Sequence, residues 1–218
     1  MNKRFIRLGS YPTSEAGFTL ASWSLSPAVY RAVRETLPAM DGAADCSELL
    51  TGTVQYESRT LTAILELSEK SREYRRTVIA RLINAFDGKT EQITLPDTPH
   101  LYLNGRIHIE QQYCDCAHAA VKLTAVCDPW QYAKQETDYV LTNTSAVQTA
   151  SIRNQGRRTV CPVFSVTAPC VIICGNITHE IDAAGSFQFD DIVFPHGNTV
   201  ISYSGSGALR ITFREGWL

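Results

Sequence analysis

Residues 68–88, SEKSREYRRTVIARLINAFDG, decide how the rest of the chain must be read. Tyr74, Val78, Ile79, Leu82, Ile83 and Phe86 are spaced by steps of four, three and one, which places them on one stripe of a 3.6-residue period. Ser68 or Ser71 can cap the first turn, and Glu69 and Glu73 put negative charge where the helix dipole favours it. Asp87-Gly88 supplies the stop, since Gly readily enters the left-handed conformation that ends helices. The spacing predicts one helix within 68–88. Nearly everything else alternates with period two. A lone amphipathic helix among strands must bury its stripe on a sheet, so the expected fold class is mainly β with one amphipathic helix.

Before the helix, residues 3–8 read as a first strand and residues 9–27 as loop with short extended pieces. Residues 27–37 have the β-branched content of a strand, with a short helix as the alternative. Asp41-Gly42 and Asp45-Cys46-Ser47 are turn chemistry, because Asp45 or Ser47 can bond its own backbone. Strands are expected at 53–58 and 60–67, the latter with Leu61, Ala63, Leu65 and Leu67 on one face.

After the helix, strands are expected at 91–95, 100–103 and 106–111. Pro96-Asp97 and Asn104-Gly105 mark the reversals, the second being a strong short hairpin signal. A further strand over 119–127 ends at Asp128-Pro129-Trp130, followed by the polar run 134–138. The expected domains are therefore residues 1–132 and 133–218. From Tyr139 onward about eight short strands follow one another, over 147–152, 160–167, 171–174, 176–181, 186–189, 191–194, 199–203 and 208–213. That density is the mark of a β-sandwich or jelly-roll-like module.

Composition excludes several classes of function. A formal net charge of −2, with neither half polarised, gives no basic face for sequence-specific nucleic-acid binding. No apolar run approaches the roughly 18–20 residues of a membrane span. The start MNKRFIRLGS lacks the apolar core of a signal peptide, so synthesis in a cytoplasm without export is expected. The seven cysteines read as reduced thiols. Cys114, Cys116 and His118 would share a strand face, but Cys-x-Cys is not the usual zinc-ligand spacing, and no metal site is expected.

Catalytic signatures are missing too: no nucleophile elbow, phosphate loop, zincin helix or dinucleotide fingerprint occurs. Asp190-Asp191 reads as a polar turn. No catalytic residue and no cofactor are expected. The Arg72, Arg75, Arg76 and Arg81 group reads as a solvated helix face. Tyr56, Arg59 and Arg106 belong to types enriched at subunit interfaces. They serve equally well as an internal pair of positions, one opening a strand and one closing the 104–105 hairpin.

Five segments in order carry a family resemblance. Residues 40–52, MDGAADCSELLTG, followed by Tyr56-Glu57-Ser58-Arg59, resemble the Gly-rich turn, Asp, Ser or Thr, Tyr, Arg run of phage distal tail proteins. Residues 82–89, LINAFDGK, are similar to that family's helix end and Gly-Lys turn. Tyr102-Leu103-Asn104-Gly105-Arg106 is similar to its Tyr-x-x-Gly-Arg hairpin, Asp128-Pro129-Trp130-x-Tyr132 to its domain exit, and Arg214-Glu215-Gly216-Trp217-Leu218 to its C-terminal signature.

The resemblance implies a phage or prophage tail component, made in the bacterial host cytoplasm and located in the virion tail. It implies an N-terminal domain that forms a homo-hexameric ring as the hub at the distal end of the tail tube. A C-terminal galectin-like β-sandwich would point outward. The implied partners are the tail tube protein, a tail-associated lysin or spike, and receptor-binding or baseplate proteins. For such a ring the candidate subunit-interface residues are Tyr56, Arg59 and Arg106 by residue type and Asn104 and Gly105 by position, the 104–105 hairpin being expected to reach a neighbour's sheet and pair with its edge. The alternative reading is a carbohydrate-binding module for the host surface, prompted by His196-Gly197-Asn198, which resembles the His-x-Asn of galectins. The Pro and Arg that follow in galectins are missing here, and a polar reversal is the simpler account of that stretch.

Overall fold

A computed structural model describes residues 5–36, 38, 41–49, 52–68, 71–115, 117–142 and 146–218. Lys3, Met40, Glu69 and Cys116 lie outside the described residues, and with them part of the expected first strand and the grouping of Cys114, Cys116 and His118. The chain packs as two units, Met1–Gln131 and Tyr132–Leu218.

In the first unit the strands are β1 (Arg7–Leu8), β2 (Tyr11–Pro12), β3 (Thr19–Leu25), β4 (Arg34–Glu35), β5 (Ala44–Asp45) and β6 (Arg59–Leu67). Helix α1 (Arg72–Phe86) follows, and then β7 (Thr90–Thr94), β8 (Leu101–Cys114) and β9 (Ala119–Ala133), whose last two residues belong to the second unit. The main sheet runs β2-β1-β7-β8-β9-β6-β3, while β4 and β5 pair only with each other. Alternation does what period two requires. Leu61, Ala63, Leu65 and Leu67 of β6 and Val121, Leu123, Ala125 and Cys127 of β9 are buried on one face. The α1 stripe joins them through Val78, Ile79 and Leu82.

The helix starts later than the 68–88 window. Ser71 is the cap, its hydroxyl accepting from the Tyr74 N–H at 3.3 Å. Gly88 takes a left-handed φ of 76° after Asp87. Arg75 corrects the solvated-face reading, for it is buried. It lies three and four residues before Val78 and Ile79, hence on the apolar stripe. Its Nη2 donates to the Asp115 carbonyl at 2.9 Å.

Asn104-Gly105 is not a hairpin. Both residues sit inside β8, in register with Gln92 and Glu91 of β7. Leu103, Gly105, Ile107 and Ile109 alternate into the core without a break, and that burial outweighs local turn propensity. Glycine is required by close approach: a Cβ there would stand 2.5 Å from Cys127 Sγ and 3.1 Å from the Val126 carbonyl. The reversal comes ten residues later. Asp115 Oδ1 accepts from Ala117 N at 2.8 Å and His118 N at 2.6 Å, which turns β8 into β9.

Other expectations also move. In place of the expected strand 53–58 there is an isolated bridge of Tyr56 with Tyr30. Among the described residues of 27–37, the short strand β4 and the Tyr30 bridge stand in place of the expected strand. Strand β9 continues through Pro129 to Ala133; its ladder with β6 ends at Cys127, so on that side the missing Pro N–H costs no bond.

The second unit contains β10 (Thr137–Thr142), β11 (Gln148–Asn154), β12 (Val163–Val166), β13 (Cys170–Cys174), β14 (Ile177–Ile181) and β15 (Gly185–Gln188). It closes with β16 (Gly197–Gly205), β17 (Ala208–Phe213) and β18 (Gly216–Trp217). Two four-stranded sheets, β10-β17-β12-β15 and β11-β16-β13-β14, enclose one core. Ile152, Ile172 and Ile201 come from one sheet, and Phe164, Leu209 and Ile211 from the other. The expected strand 191–194 is absent, and Phe194 instead forms a single bridge with Val160. Among the described residues no helix is long and apolar enough to cross a membrane.

Candidate functional site

Strands β3 and β6 are paired neighbours, with Leu25 opposite Leu61, yet residues 26–58 lie between them. The described residues of this segment, 26–36, 38, 41–49 and 52–58, leave the edge of the sheet at Ser26 and return to it at Thr60, and they form an arm. Its root is fixed by reciprocal bonds: Ser26 N donates to the Thr60 carbonyl at 2.9 Å, and Thr60 N to Ser26 Oγ at 2.8 Å. Further out, Glu57 N donates to Val29 O, Arg31 N to Gln55 O, and Cys46 N to Val33 O. The turn chemistry at Asp45 is realised, since its Oδ1 accepts from Ser47 N and Ser47 Oγ, while Ser47 Oγ accepts from Val33 N. Those hydrogen bonds hold the Asp45 carboxyl below its ordinary range.

The arm is ordered by backbone pairing yet carries apolar side chains into solvent. Val29, Tyr30 and Val33 are exposed, and Leu49 is 78% exposed. These four lie within one stretch of the chain, between β3 and β6.

The interface candidates gather near the arm root and the adjoining part of β9. Tyr56 sets its ring against Trp130 at 5.3 Å, edge to face. Arg59 is buried, pairs in register with Cys127, and donates from Nε to the Ser26 carbonyl at 2.8 Å. Burial lowers its pKa and pushes the Cys127 thiol up to about 11, Asp128 adding to the latter. Asn104 Nδ2 donates to Asp128 Oδ2 at 3.3 Å, and Gly105 lies under Cys127. Arg106 reaches away, its Nη1 donating to the Gly88 carbonyl at 2.6 Å. Tyr56, Arg59, Asn104 and Gly105 thus surround residues 126–130 of β9, and Arg106 instead ties β8 to the end of α1.

Beside α1 an open groove of about 440 Å³ is lined by Tyr74, Val78, Leu82 and Phe86 on one wall and Tyr11 and Ala16 on the other. Glu15 and Arg81 stand in its lining. Burial, followed by the charge of Glu15, raises the pKa of the Tyr11 phenol.

The histidine–carboxylate pairs bind segments together. His108 Nδ1 and Ile109 N both meet Asp87 Oδ1, fastening the helix end to β8, and these contacts keep the Asp87 carboxyl low, the backbone bond first. His179 Nε2 meets both Asp191 oxygens while its ring stacks on Phe189 at 3.9 Å. His196 Nδ1 meets the Gly156 carbonyl at 3.1 Å, so the galectin-like stretch is engaged with its own fold. Among the described residues no three His, Cys, Asp or Glu side chains are placed to hold a metal ion.

Three residues were invisible to pattern reading. Arg75 pins α1 to the β8–β9 reversal. Asn154, fully buried, donates from Nδ2 to the Arg158 and Phe194 carbonyls and accepts from Gly156 N. Arg214 donates from Nη1 to the carbonyls of Ala133 and Lys134 and from Nη2 to Glu136. Its place in the C-terminal signature was the one available signal. The others required knowing what lay opposite them.

No family model matches the chain, and no curated protein matches it in sequence. Among solved structures it is similar to SPP1 Dit (gp 19.1), described as a paradigm of the hub adsorption apparatus in Gram-positive infecting phages. The TM-score is 0.70 at 15% identity, covering 96% of this chain and 98% of that one. A de novo designed double-stranded β-helix overlays 38% of the chain at 10% identity with a TM-score of 0.25, which carries no argument. The chain therefore has the fold of a phage tail hub protein over nearly its whole length.

Proposed function

We propose that this chain is a structural component of a phage or prophage tail, forming the hub ring at the distal end of the tail tube. The observation that carries the reading is the arm 26–58, a paired but solvent-exposed apolar extension on a chain that folds like SPP1 Dit. Six copies close a cyclic ring through one repeated heterologous contact, which requires two different surfaces on each copy. The arm is one of them.

The first unit forms the ring and meets the tail tube. The second, a galectin-like sandwich, points outward and attaches spike, baseplate or receptor-binding proteins. The work is assembly, not catalysis. The 104–105 position takes no part as a projecting hairpin; the role of Asn104 and Gly105 becomes support of the strand beside the arm root through Asp128 and Cys127, and that of Arg106 becomes the tie between β8 and the end of α1. Tyr56 and Arg59 fix the angle at which the arm departs.

Light scattering over a concentration series tests this reading, on the full chain and on a shortened chain ending at Tyr132. The expected result is a six-copy species in both. Assembly that followed residues 133–218 alone would overturn the division of labour. Limited proteolysis is expected to cut first near Lys134, which is exposed.

A further inference from the structure

We propose that the second unit binds a sugar acid, a hydroxylated ring bearing one carboxylate, in a pocket at one end of the sheet β10-β17-β12-β15. The inference is independent of the ring reading, because it concerns a single copy.

Thr212, Val163 and Gln188 stand in register across β17, β12 and β15. Their sequence neighbours Ile211, Phe164 and Phe187 pack into the core, so alternation puts the three on the outer face of the sheet. They line a pocket of about 270 Å³. Gln188 is exposed, so the pocket is reached from solvent. Its charged lining is Arg158, Arg214 and Glu136, and cations therefore outnumber anions by one. Asp138, in register with Thr212, does not alter that balance, since Arg210 holds its two oxygens at 2.8 Å each.

Both cations are anchored before any ligand arrives. Arg214 donates to the Ala133 and Lys134 carbonyls and to Glu136. Arg158 is fixed through its backbone, its N–H donating to the Gly216 carbonyl at 3.1 Å and its own carbonyl accepting from Asn154 Nδ2 at 2.8 Å. Its guanidinium lies over the Tyr132 ring, 5.4 Å from the centroid, where cation–π attraction holds it. Yet that guanidinium donates to no oxygen among the described residues. Its planar fork of N–H groups matches the two oxygens of a carboxylate.

The oxygens of the same pocket decide what the carboxylate is attached to. Gln188 Nε2 donates to the Cys161 carbonyl at 3.3 Å, while its Oε1 accepts no bond among the described residues. The Thr212 hydroxyl makes none either. A bare carboxylate would leave these oxygens and Glu136 without donors from the ligand. Hydroxyls on the same ring supply them. One surplus positive charge also suits a single carboxylate better than a doubly charged phosphate ester. A hexuronic acid meets both conditions.

Isothermal titration calorimetry on the full chain tests the site with sodium D-galacturonate and D-glucuronate. Galactose, glucose, acetate and an oligoglutamate peptide serve as comparisons. Saturable binding of at least one uronate is expected, with each comparison about tenfold weaker or more. Arg158→Gln keeps the backbone bonds and removes the guanidinium, and should weaken the uronate about tenfold or more. Gln188→Ala should weaken the uronate but not acetate. Melting curves verify that each variant is folded. Amide NMR shifts of the parent chain give a reading that needs no variant: the uronate is expected to move signals of residues 158–163 and 212–214. The proposal is overturned by no saturable uronate binding, or by acetate, a neutral sugar or the peptide binding as tightly. Uronate affinity unchanged in folded Arg158→Gln, or shifts confined to other residues, overturns it equally.

Discussion

The two units cover their apolar faces by different means. In the second, a sheet covers a sheet, and Ile152, Ile172 and Ile201 meet Phe164, Leu209 and Ile211. In the first, part of the covering of the sheet comes from α1, a single helix that supplies Val78, Ile79 and Leu82. Sheet on sheet uses strands for both layers, and the exposed large apolar residues described in the second unit are valines at 140, 147, 193 and 200, scattered along the chain. In the first unit such residues concentrate on one arm. That concentration is what the proposal of a ring formed by the first unit starts from.

The comparison is broken most directly by emptying each core in turn. Ile79→Ala is expected to cost about 2–5 kcal/mol and Phe164→Ala about 3–5 kcal/mol. In calorimetry each should lower the melting of its own unit. One transition moved equally by both substitutions would mean that the units do not fold separately.

Smaller changes sharpen the contrast between crowded strands and a hydrogen-bonded loop. Gly105→Ala forces a Cβ against Cys127 and is expected to destabilise the first unit by roughly 1–3 kcal/mol in urea titration. Asn154→Ala leaves the Phe194 carbonyl and the Gly156 N–H without their side-chain partner, and is expected to cost the second unit about 1–3 kcal/mol. A neutral Gly105→Ala would mean that β8 and β9 separate easily there.

Removing the helix cap should be milder. Ser71→Ala is expected to cost about 1 kcal/mol in the first unit only, read from its urea midpoint.

Acid gives the finest distinction. Hydrogen bonds hold Asp45, Asp87 and Asp115 of the first unit, and Asp138 of the second through Arg210, below the ordinary carboxylate range. A carboxylate depressed in the folded state stabilises fully above its unfolded value, about 4, and loses that contribution as pH falls through the folded value. The first unit should therefore lose more stability below about pH 4 than the second. Asp115→Asn should flatten that difference in melting curves recorded across pH. Equal acid sensitivity of the two units would remove the asymmetry.

Periodicity alone determined a good part of this protein. The stripe from Tyr74 to Phe86 had to be a helix, and Leu61 to Leu67 and Leu209 to Phe213 had to be strands with one buried face. Those signals are local: each residue's side is set by its own backbone period. Turn chemistry at Asp45-Ser47 was equally local and equally legible. Asn104-Gly105 was not, because its fate depended on β7 and β9 lying on either side, where burial of Leu103 and Ile107 held the strand straight. Arg75 looked like surface until the Asp115 carbonyl appeared opposite it, forty residues away. The arm read as a strand or short helix at 27–37, a turn around 41–47 and a strand at 53–58, and only the pairing of β3 with β6 revealed that the chain leaves the sheet between them. Local period is written in neighbouring residues. Close approach, buried partners and departures from the sheet exist only once distant segments have met.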